Sequence, residues 1–287
     1  MSLRIGLVSP VVTANPGAHD DWEAGAGIAE LARIATLADQ LGFDHLTCSE
    51  HVAVPTAVAA ERGATYWDPL ATLGYLAART ERIRLATQVL VLGYHHPLEI
   101  AKRYGTLDVV SGGRVVLGLG VGSLEKEFAL LGATFEGRGA IADDALAALR
   151  ASLGRRTPSY AGTHYSFDDV VVEPHAVQDR VPLWIGGRTP RSLRRALALG
   201  DGWVPFGLGL SALTAMLADA ELPEGFEVVL SPGRPVDPLG DRDATAARLR
   251  KVLDAGATMI STAVHATSAD HYCEQLAALA AVGEEIG

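Results

Sequence analysis

The most constraining feature of this chain is a repeated alternation of short apolar segments, rich in Val, Ile and Leu, with alanine-rich helical segments. Parallel strands cannot be joined by tight turns, so strand-then-helix units of this length predict a parallel sheet with helical crossovers. Eight such segments can be counted along the chain. The pattern therefore predicts the α/β class and a closed (β/α)8 barrel, the TIM barrel.

The predicted elements can be assigned from apolar periodicity and flanking residues. The eight strands are Leu3–Ser9, His45–Glu50, Ile83–Val91, Val115–Gly120, Leu183–Gly186, Gly202–Pro205, Phe226–Leu230 and Thr258–Val264. The clearest helices are Ile28–Leu41, Pro69–Ala78, Pro97–Val110, Ile141–Leu153, Pro190–Leu199, Ala244–Ala255 and Ala269–Ala280. Their ends support the assignment, because Gly42 can end a helix in the left-handed conformation and Thr189-Pro190 pairs a capping side chain with a proline at the first helical position.

One segment between Arg155 and Arg180 interrupts the alternation of strands and helices. Its aromatic and valine residues alternate with polar ones around an Ala-Gly pair, as in a small hairpin. The insertion is too short for a second domain, and barrels of roughly 250 residues commonly fold as one unit. We therefore expect one barrel domain over residues 1–287.

Charge and composition exclude several classes of partner. A formal charge of −10 disfavours nucleic acid, which is bound by clustered Lys and Arg. No segment approaches the ~20 apolar residues of a membrane helix, and the first ten residues lack a signal-peptide core, so we expect a cytoplasmic protein. Cys48 and Cys273 are far apart in sequence and form no CxxC pair, and we expect both to be reduced thiols.

The glycines between Gly113 and Phe128, in "GRVVLGLGVGSLEKEF", resemble a dinucleotide-binding loop. Neither register completes GxGxxG, because Ser123 or Glu125 stands where the third glycine belongs. The segment also follows the fourth strand, whereas the fingerprint belongs to the first. Gly118, Gly120 and Gly122 share one face of an extended strand. They either clear space for a flat ring at the barrel mouth or ease packing in a crowded barrel, and spacing alone favours neither.

Active sites of such barrels lie at the carboxyl ends of the strands. The second strand ends in Glu50 and His51, which could share a proton but could also be a surface pair. Gln88 interrupts an apolar strand and suggests a bulge or a ligand contact. His95 and His96 invite a metal interpretation, but adjacent side chains on one loop seldom converge on one ion, so we expect no metal.

The fifth strand is followed by "WIGGRTPRSLRRA", in which Gly187 to Thr189 precede a proline-started helix. Backbone N–H groups at a helix N-terminus, together with a guanidinium, form an anion site. The densest basic cluster in this acidic chain is Arg188, Arg191, Arg194 and Arg195. We expect a phosphate to bind at Gly187 to Thr189, although the last two arginines are equally consistent with solvated helix residues.

With these pieces assigned, the chain resembles the bacterial luciferase-like family of flavin monooxygenases and deazaflavin-dependent oxidoreductases. Segments that carry the resemblance occur in the family's order: "LADQLGFDHLTCSEHV", "RIRLATQVLVLGYHHPLEIAK", "LDVVSGGRVVLGLGVGSLEKEFALLG", "GRGAIADDALAALR" and "VPLWIGGRTPRSLRRALALGDGWVP". The resemblance is strongest to the branch of coenzyme F420-dependent oxidoreductases. It implies a luciferase-like barrel that holds a flavin or deazaflavin ring over its carboxyl-terminal mouth.

The resemblance also implies roles for individual residues. His51 is expected to handle a proton, with Glu50 positioning it or bonding to the ring. Gln88 and Val89 match a third-strand bulge that often contains a non-proline cis peptide in this family. The remaining matches are Gly120, Gly122 and Ser123 beside the ring and Gly186, Gly187, Arg188 and Thr189 around the phosphate. The chain departs from the common pattern in having Glu50 for Asp and Ser123 for Trp.

By this resemblance, the chain is expected to be an oxidoreductase that uses coenzyme F420 for hydride transfer to or from a small organic substrate. An FMN-dependent monooxygenase is the enzymatic alternative, and a barrel that binds flavin or deazaflavin without turnover is a further one. The family also implies a homodimer formed through helices near the second and third strands.

Overall fold

A computed structural model describes residues 3–14, 16 and 19–287, and its strands form the predicted barrel. The strands are β1 Ile5–Val8, β2 His45–Cys48, β3 Arg84–Thr87, β4 Leu90–Val91, β5 Val115–Gly120, β6 Tyr160–Ala161, β7 Ser166–Phe167, β8 Leu183–Gly186, β9 Gly202–Val204, β10 Glu227–Leu230 and β11 Met259–Thr262. The main sheet runs β3-β2-β1-β11-β10-β9-β8-β5, and a further pairing of β3 with β5 closes it. Because β4 continues β3 after a short interruption, the barrel has eight parallel walls.

The register at the closing pair sets where the strands end. Leu85 pairs with Val115, and beyond the interruption Leu90 pairs with Leu119. The carboxyl ends of all walls therefore meet at one mouth, as the alternation of strands and helices predicts.

Ten α-helices surround the barrel in the described part of the chain. They are α1 Ile28–Gln40, α2 Thr56–Arg62, α3 Pro69–Ala77, α4 Pro97–Ser111, α5 Glu125–Leu130, α6 Arg138–Ser152, α7 Pro190–Leu199, α8 Leu210–Ala218, α9 Arg242–Asp254 and α10 Ala269–Ile286. Short 3-10 helices occupy Asp21–Gly25 and Leu92–Tyr94. None of the helices in the described ranges is long and apolar enough to cross a membrane.

Several predicted boundaries need correction. Six of the eight predicted strands are shorter than predicted at one or both ends, and the third of them is split into β3 and β4. The predicted bounds Val115–Gly120 and Leu183–Gly186 are confirmed. Helix α6 begins three residues earlier than expected, and α10 continues to Ile286. The hairpin insertion is confirmed, since β6 and β7 pair antiparallel with Tyr160 opposite Phe167.

Side chains fill the barrel interior toward the amino-terminal ends of the strands. Ala86, Val116, Trp184, Val204, Val229 and Met259 form an interior cluster. Below it, His45 is fully buried, with its ring edge against Trp184 and its Nδ1 2.9 Å from Asp44. A Cβ at Gly6 would lie 2.0 Å from the His45 ring, so only glycine leaves room for the imidazole. Side chains therefore fill the interior of the barrel at this end.

Candidate active site

A cleft of about 260 Å³ opens at the carboxyl-terminal mouth of the barrel. Its walls come from the ends of β2, β4, β5 and β8 and from the segment around α2, and the lining includes Ser49, Glu50, His51, Arg62, Tyr66, Gln88, Val89, Gly120, Gly122, Ser123, Gly186 and Gly187. Most of the residues predicted from strand ends therefore lie around one space. Its volume approaches the ~300 Å³ at which small-molecule sites begin.

The floor of the cleft is formed by the interruption between β3 and β4. The peptide bond between Gln88 and Val89 is cis, as the resemblance implies. A Cβ at Gly118 would lie 2.0 Å from the Thr87 carbonyl oxygen, and one at Gly120 would lie 2.6 Å from the Val89 side chain. These glycines are therefore required for packing against the bulge, and Val89 takes up the space that they leave.

Gln88 presents an unsatisfied polar atom at this floor. Its Oε1 is buried and has no hydrogen-bond partner within the described ranges. Its main-chain carbonyl accepts a 2.7 Å hydrogen bond from Ser49 Oγ, which holds the bulge against β2. Burying an acceptor without a donor costs about 1–3 kcal/mol, so this oxygen is available to a ligand N–H or O–H in the cleft.

His51 is held by a residue from another wall. Its Nδ1 lies 2.7 Å from Glu127 Oε2 in α5. The Tyr66 ring packs edge-on against the imidazole, with centroids 4.5 Å apart. Because Nδ1 is engaged by Glu127, Nε2 on the opposite side of the ring is left for the cleft that His51 lines.

Glu127 is a fully buried carboxylate with four donors. Besides His51, it accepts hydrogen bonds from Tyr94 Oη at 2.7 Å and from the backbone N–H groups of Val52 and Ala53 at 2.7 and 3.1 Å. Burial would raise the pKa of Glu127, but the bonds from Tyr94 and His51 outweigh it and hold the pKa below its ordinary value. Glu127 is therefore an anion at neutral pH, fixed beneath the imidazole.

Glu50 does not contact His51 in the way that their adjacency in sequence suggests. Its Oε2 accepts a 2.7 Å bond from the Val91 N–H, and its Oε1 lies 2.7 Å from His95 Nε2. Adjacent residues in extended backbone point to opposite sides, which sends the two side chains to different partners. Positioning His51 is thus the role of Glu127, and Glu50 ties the bulge to the segment after β4.

The proposed phosphate loop follows β8. Gly187 has φ of +134°, and a Cβ there would lie 2.6 Å from Ser192 Cβ, so the turn into α7 needs glycine. Thr189 caps α7 by accepting from the Ser192 N–H at 3.3 Å. Arg188 is exposed at this loop.

Fewer arginines of the predicted basic cluster are exposed than the sequence suggests. Arg195 is buried and bonds to the Asp143 carboxylate and to the Gly139 carbonyl. Its charge is therefore already matched within the protein. Arg188, Arg191 and Arg194 are the exposed members of the cluster.

Ser123 lies at the rim of the cleft, where α2 closes over it. The Arg62 guanidinium donates a 3.2 Å hydrogen bond to Ser123 Oγ, and the Arg62 carbonyl accepts one from Tyr66 Oη at 3.1 Å. The small serine thus leaves a space that an arginine from the segment around α2 reaches into.

Glu127 is one of the site residues that sequence reasoning missed, and Ser49, Arg62 and Tyr66 in the lining of the cleft are others. Glu127 lies three residues after Leu124 and directly before Phe128, both of which are buried. A carboxylate on the apolar face of a helix needs a partner, because an unpaired buried charge is costly. The position of Glu127 on the apolar face of α5 was therefore the sequence signal that could have identified it.

Fold and site together define a (β/α)8 barrel whose bulged third wall floors a cleft at the mouth. The model of the luciferase-like monooxygenase family matches residues 7–231. The chain therefore belongs to the luciferase-like monooxygenase family, as its motifs predicted.

Curated relatives with an assigned activity include F420-dependent dehydrogenases. An F420-dependent glucose-6-phosphate dehydrogenase of Microbacterium testaceum is 33% identical over 181 residues, covering 62% of this chain and 52% of the relative. The matched segment thus spans about half the length of that relative.

Solved structures share the fold across nearly the whole chain. The monooxygenase RslO1 from Streptomyces bottropensis superposes with a TM-score of 0.76 at 22% identity, covering 97% of this chain and 98% of that one. An F420-dependent secondary alcohol dehydrogenase in complex with an F420-acetone adduct gives a TM-score of 0.74 at 15% identity, with 97% and 99% covered. At these identities the similarity supports the fold.

Proposed function

We propose that this protein is a coenzyme F420-dependent oxidoreductase that acts on a small organic substrate bound in the cleft. The observation that carries the proposal is the pairing of His51 with buried, ionised Glu127 at the wall of that cleft. A neutral imidazole whose Nδ1–H is held by a carboxylate has its Nε2 free to accept a proton from a substrate hydroxyl.

The residues of the cleft fit a bound ring cofactor. Gln88 Oε1 is a buried acceptor with no donor among the described residues, and Val89 gives the floor an apolar surface beside it. Gly187, Arg188 and Thr189 form the loop that would hold the phosphate at the start of α7. When bound, the deazaflavin supplies hydride-transfer chemistry. The protein orients the substrate, limits water and holds the exchanged proton at His51.

Two similar proteins favour different cofactors for this protein, F420 in one case and FMN in the other. The F420-dependent dehydrogenase of Microbacterium testaceum matches in sequence, which favours F420. The monooxygenase RslO1 matches in fold, which favours FMN and oxygen chemistry as the second candidate. Because deazaflavin reacts poorly with oxygen, oxygen uptake separates the two.

The experiment compares two reactions of the purified protein. Reduced F420 or oxidised F420 is supplied anaerobically with a panel of small ketones, aldehydes and alcohols, and the deazaflavin absorbance is followed. Reduced FMN is supplied in air with each member of the panel, and oxygen consumption is followed above the rate of a protein-free control, because free reduced FMN oxidises by itself. We expect turnover in the first reaction and its loss in His51→Asn; oxygen uptake with reduced FMN and no F420 turnover would establish the alternative.

A further inference from the structure

A second, smaller cavity of about 80 Å³ lies beside the cleft, and we call it the side cavity. Its walls include Val8 at the end of β1, Tyr272 in α10 and Thr13 in the segment after β1. Ser49 lines both the side cavity and the cleft. The two spaces are therefore neighbours at the barrel mouth.

Three hydroxyl groups in the wall of the side cavity are unsatisfied. Ser9 Oγ, Thr13 Oγ1 and Tyr272 Oη are buried and have no hydrogen-bond partner among residues 3–14, 16 and 19–287. The Val264 N–H approaches the Tyr272 oxygen without reaching hydrogen-bond geometry, and the Tyr272 hydroxyl hydrogen has no acceptor among the described residues. Ser9 is 5% exposed and Tyr272 is 1% exposed. Such groups weaken the fold unless a bound molecule satisfies them.

The charges around the side cavity restrict what that molecule can be. Asp20 and Glu23 also line it. Glu23 accepts from the N–H groups of Val11 and Asp20, and Asp20 bonds to His265 and to the Ala266 N–H. The carboxylates repel an anion, while each of their oxygens already has a partner within the fold. The unsatisfied groups are neutral hydroxyls, so they match a neutral ligand.

We propose that the side cavity binds a neutral carbonyl or hydroxyl group of the substrate other than the group that reacts beside His51 in the cleft. This proposal rests on the proposed function, since it names the class of substrate for the same site. A water molecule occupies about 30 Å³ of liquid, so the side cavity has room for a short carbonyl- or hydroxyl-bearing group. A phosphorylated group is disfavoured there by Asp20 and Glu23.

The test uses three small probes with the full-length protein, without and with F420. Acetone and isopropanol carry the neutral groups, and acetate has nearly the shape of acetone with a negative charge. Binding is followed by saturation-transfer NMR of the probe. Ser9→Ala and Tyr272→Phe each remove one hydroxyl, and Ser152→Ala is the matched control, because Ser152 Oγ bonds to the Ala148 carbonyl in α6.

We expect acetone and isopropanol to bind, acetate to bind at least tenfold more weakly, and both hydroxyl variants to weaken acetone at least tenfold. Ser152→Ala should leave acetone binding unchanged. The urea midpoint of Ser9→Ala should not fall, because this change removes an unsatisfied group. Equal binding of acetate, acetone binding insensitive to both variants, or water alone in the side cavity would overturn the proposal.

Failure of this proposal is distinguishable from failure of the proposed function. Probe binding is measured without cofactor, whereas the proposed function depends on F420 binding and turnover. If F420 turnover is insensitive to Ser9→Ala and Tyr272→Phe, the proposed role of the side cavity is wrong, whereas the proposed oxidoreductase function still stands.

Discussion

His51 Nδ1 and Glu127 Oε2 lie 2.7 Å apart although the two residues are separated by 76 positions in the chain. The barrel brings them together because β2 and β5 flank the bulged wall and both end at the mouth. Glu127 is at the same time the acceptor for Tyr94 and for two backbone N–H groups. The imidazole is therefore oriented by a rigid, charged support.

The first prediction concerns that support. Glu127→Gln removes the negative charge but keeps the size of the side chain, so the His51 ring loses its ionic partner and its preferred tautomer. We expect kcat to fall about 100-fold, with little change in the dissociation constant of F420. A shifted pH profile of kcat would identify a positioning role. Glu125→Gln, which changes an exposed residue of the same helix, is the control and should leave both kcat and the dissociation constant of F420 unchanged.

The second prediction separates proton handling from cofactor binding. His51→Asn removes the titratable Nε2 and keeps a hydrogen-bonding group at the cleft. Turnover should drop about 10²–10⁴-fold while F420 affinity stays within a factor of about three. Equal losses of turnover and affinity would instead make His51 a binding residue.

The third prediction addresses the phosphate loop. Arg188→Ala removes an exposed guanidinium at the start of α7, and we expect the dissociation constant of F420 to rise about tenfold or more. Arg194→Ala removes an exposed charge within α7, beyond the loop that contains Arg188, and serves as the control. If both variants bind F420 like the wild type, the phosphate lies elsewhere.

The strands of the barrel could be predicted from the sequence, but two of its helices were not. The eight walls of the barrel were predictable, because buried parallel strands are apolar and alternate with helices. Helix α2 was missed because none of its residues is buried, so it has no apolar stripe and no periodic signal. Helix α8 does have one, since Leu210, Leu213 and Leu217 recur at helical spacing and pack on the core, but its nine residues make only about two and a half turns.

The sequence predicted which residues line the cleft, but it did not predict which side chains contact one another. The strand ends indicated Glu50, His51 and Gln88, and all three line the cleft. Their partners come from other walls, with His95 45 positions away from Glu50 and Glu127 76 positions from His51. Pairings of this kind depend on the closure and register of the barrel, which adjacency in sequence does not encode. The one-domain organisation over residues 1–287 stays a prediction.

The fourth prediction concerns the packed base of the barrel. A Cβ at Gly6 would lie 2.0 Å from the buried His45 ring, so Gly6→Ala should destabilise the fold by about 1–3 kcal/mol or more. Gly74→Ala is the matched control, since nothing lies within 4 Å of the added Cβ in α3. The control should be neutral or stabilising by about 0.5–1 kcal/mol. Urea unfolding measures both.

The fifth prediction follows from the Glu50–His95 pair. Burial lowers the pKa of His95, but the bond and charge of Glu50 outweigh it and raise the pKa above 6.5. The folded protein therefore binds this proton more tightly than the unfolded chain. Its stabilisation is complete below pH 6.5 and is lost as pH rises through the raised folded value. His95→Gln should flatten this part of the stability–pH curve, and His164→Gln, an exposed change, should not.

The central claim is that the cleft holds a deazaflavin, and the most direct measurement is a fluorescence titration of the purified protein with F420 and, in parallel, with FMN. The account predicts saturable binding of F420, tighter than that of FMN and weakened by Arg188→Ala. No saturable binding of F420 at concentrations where FMN binds would contradict it.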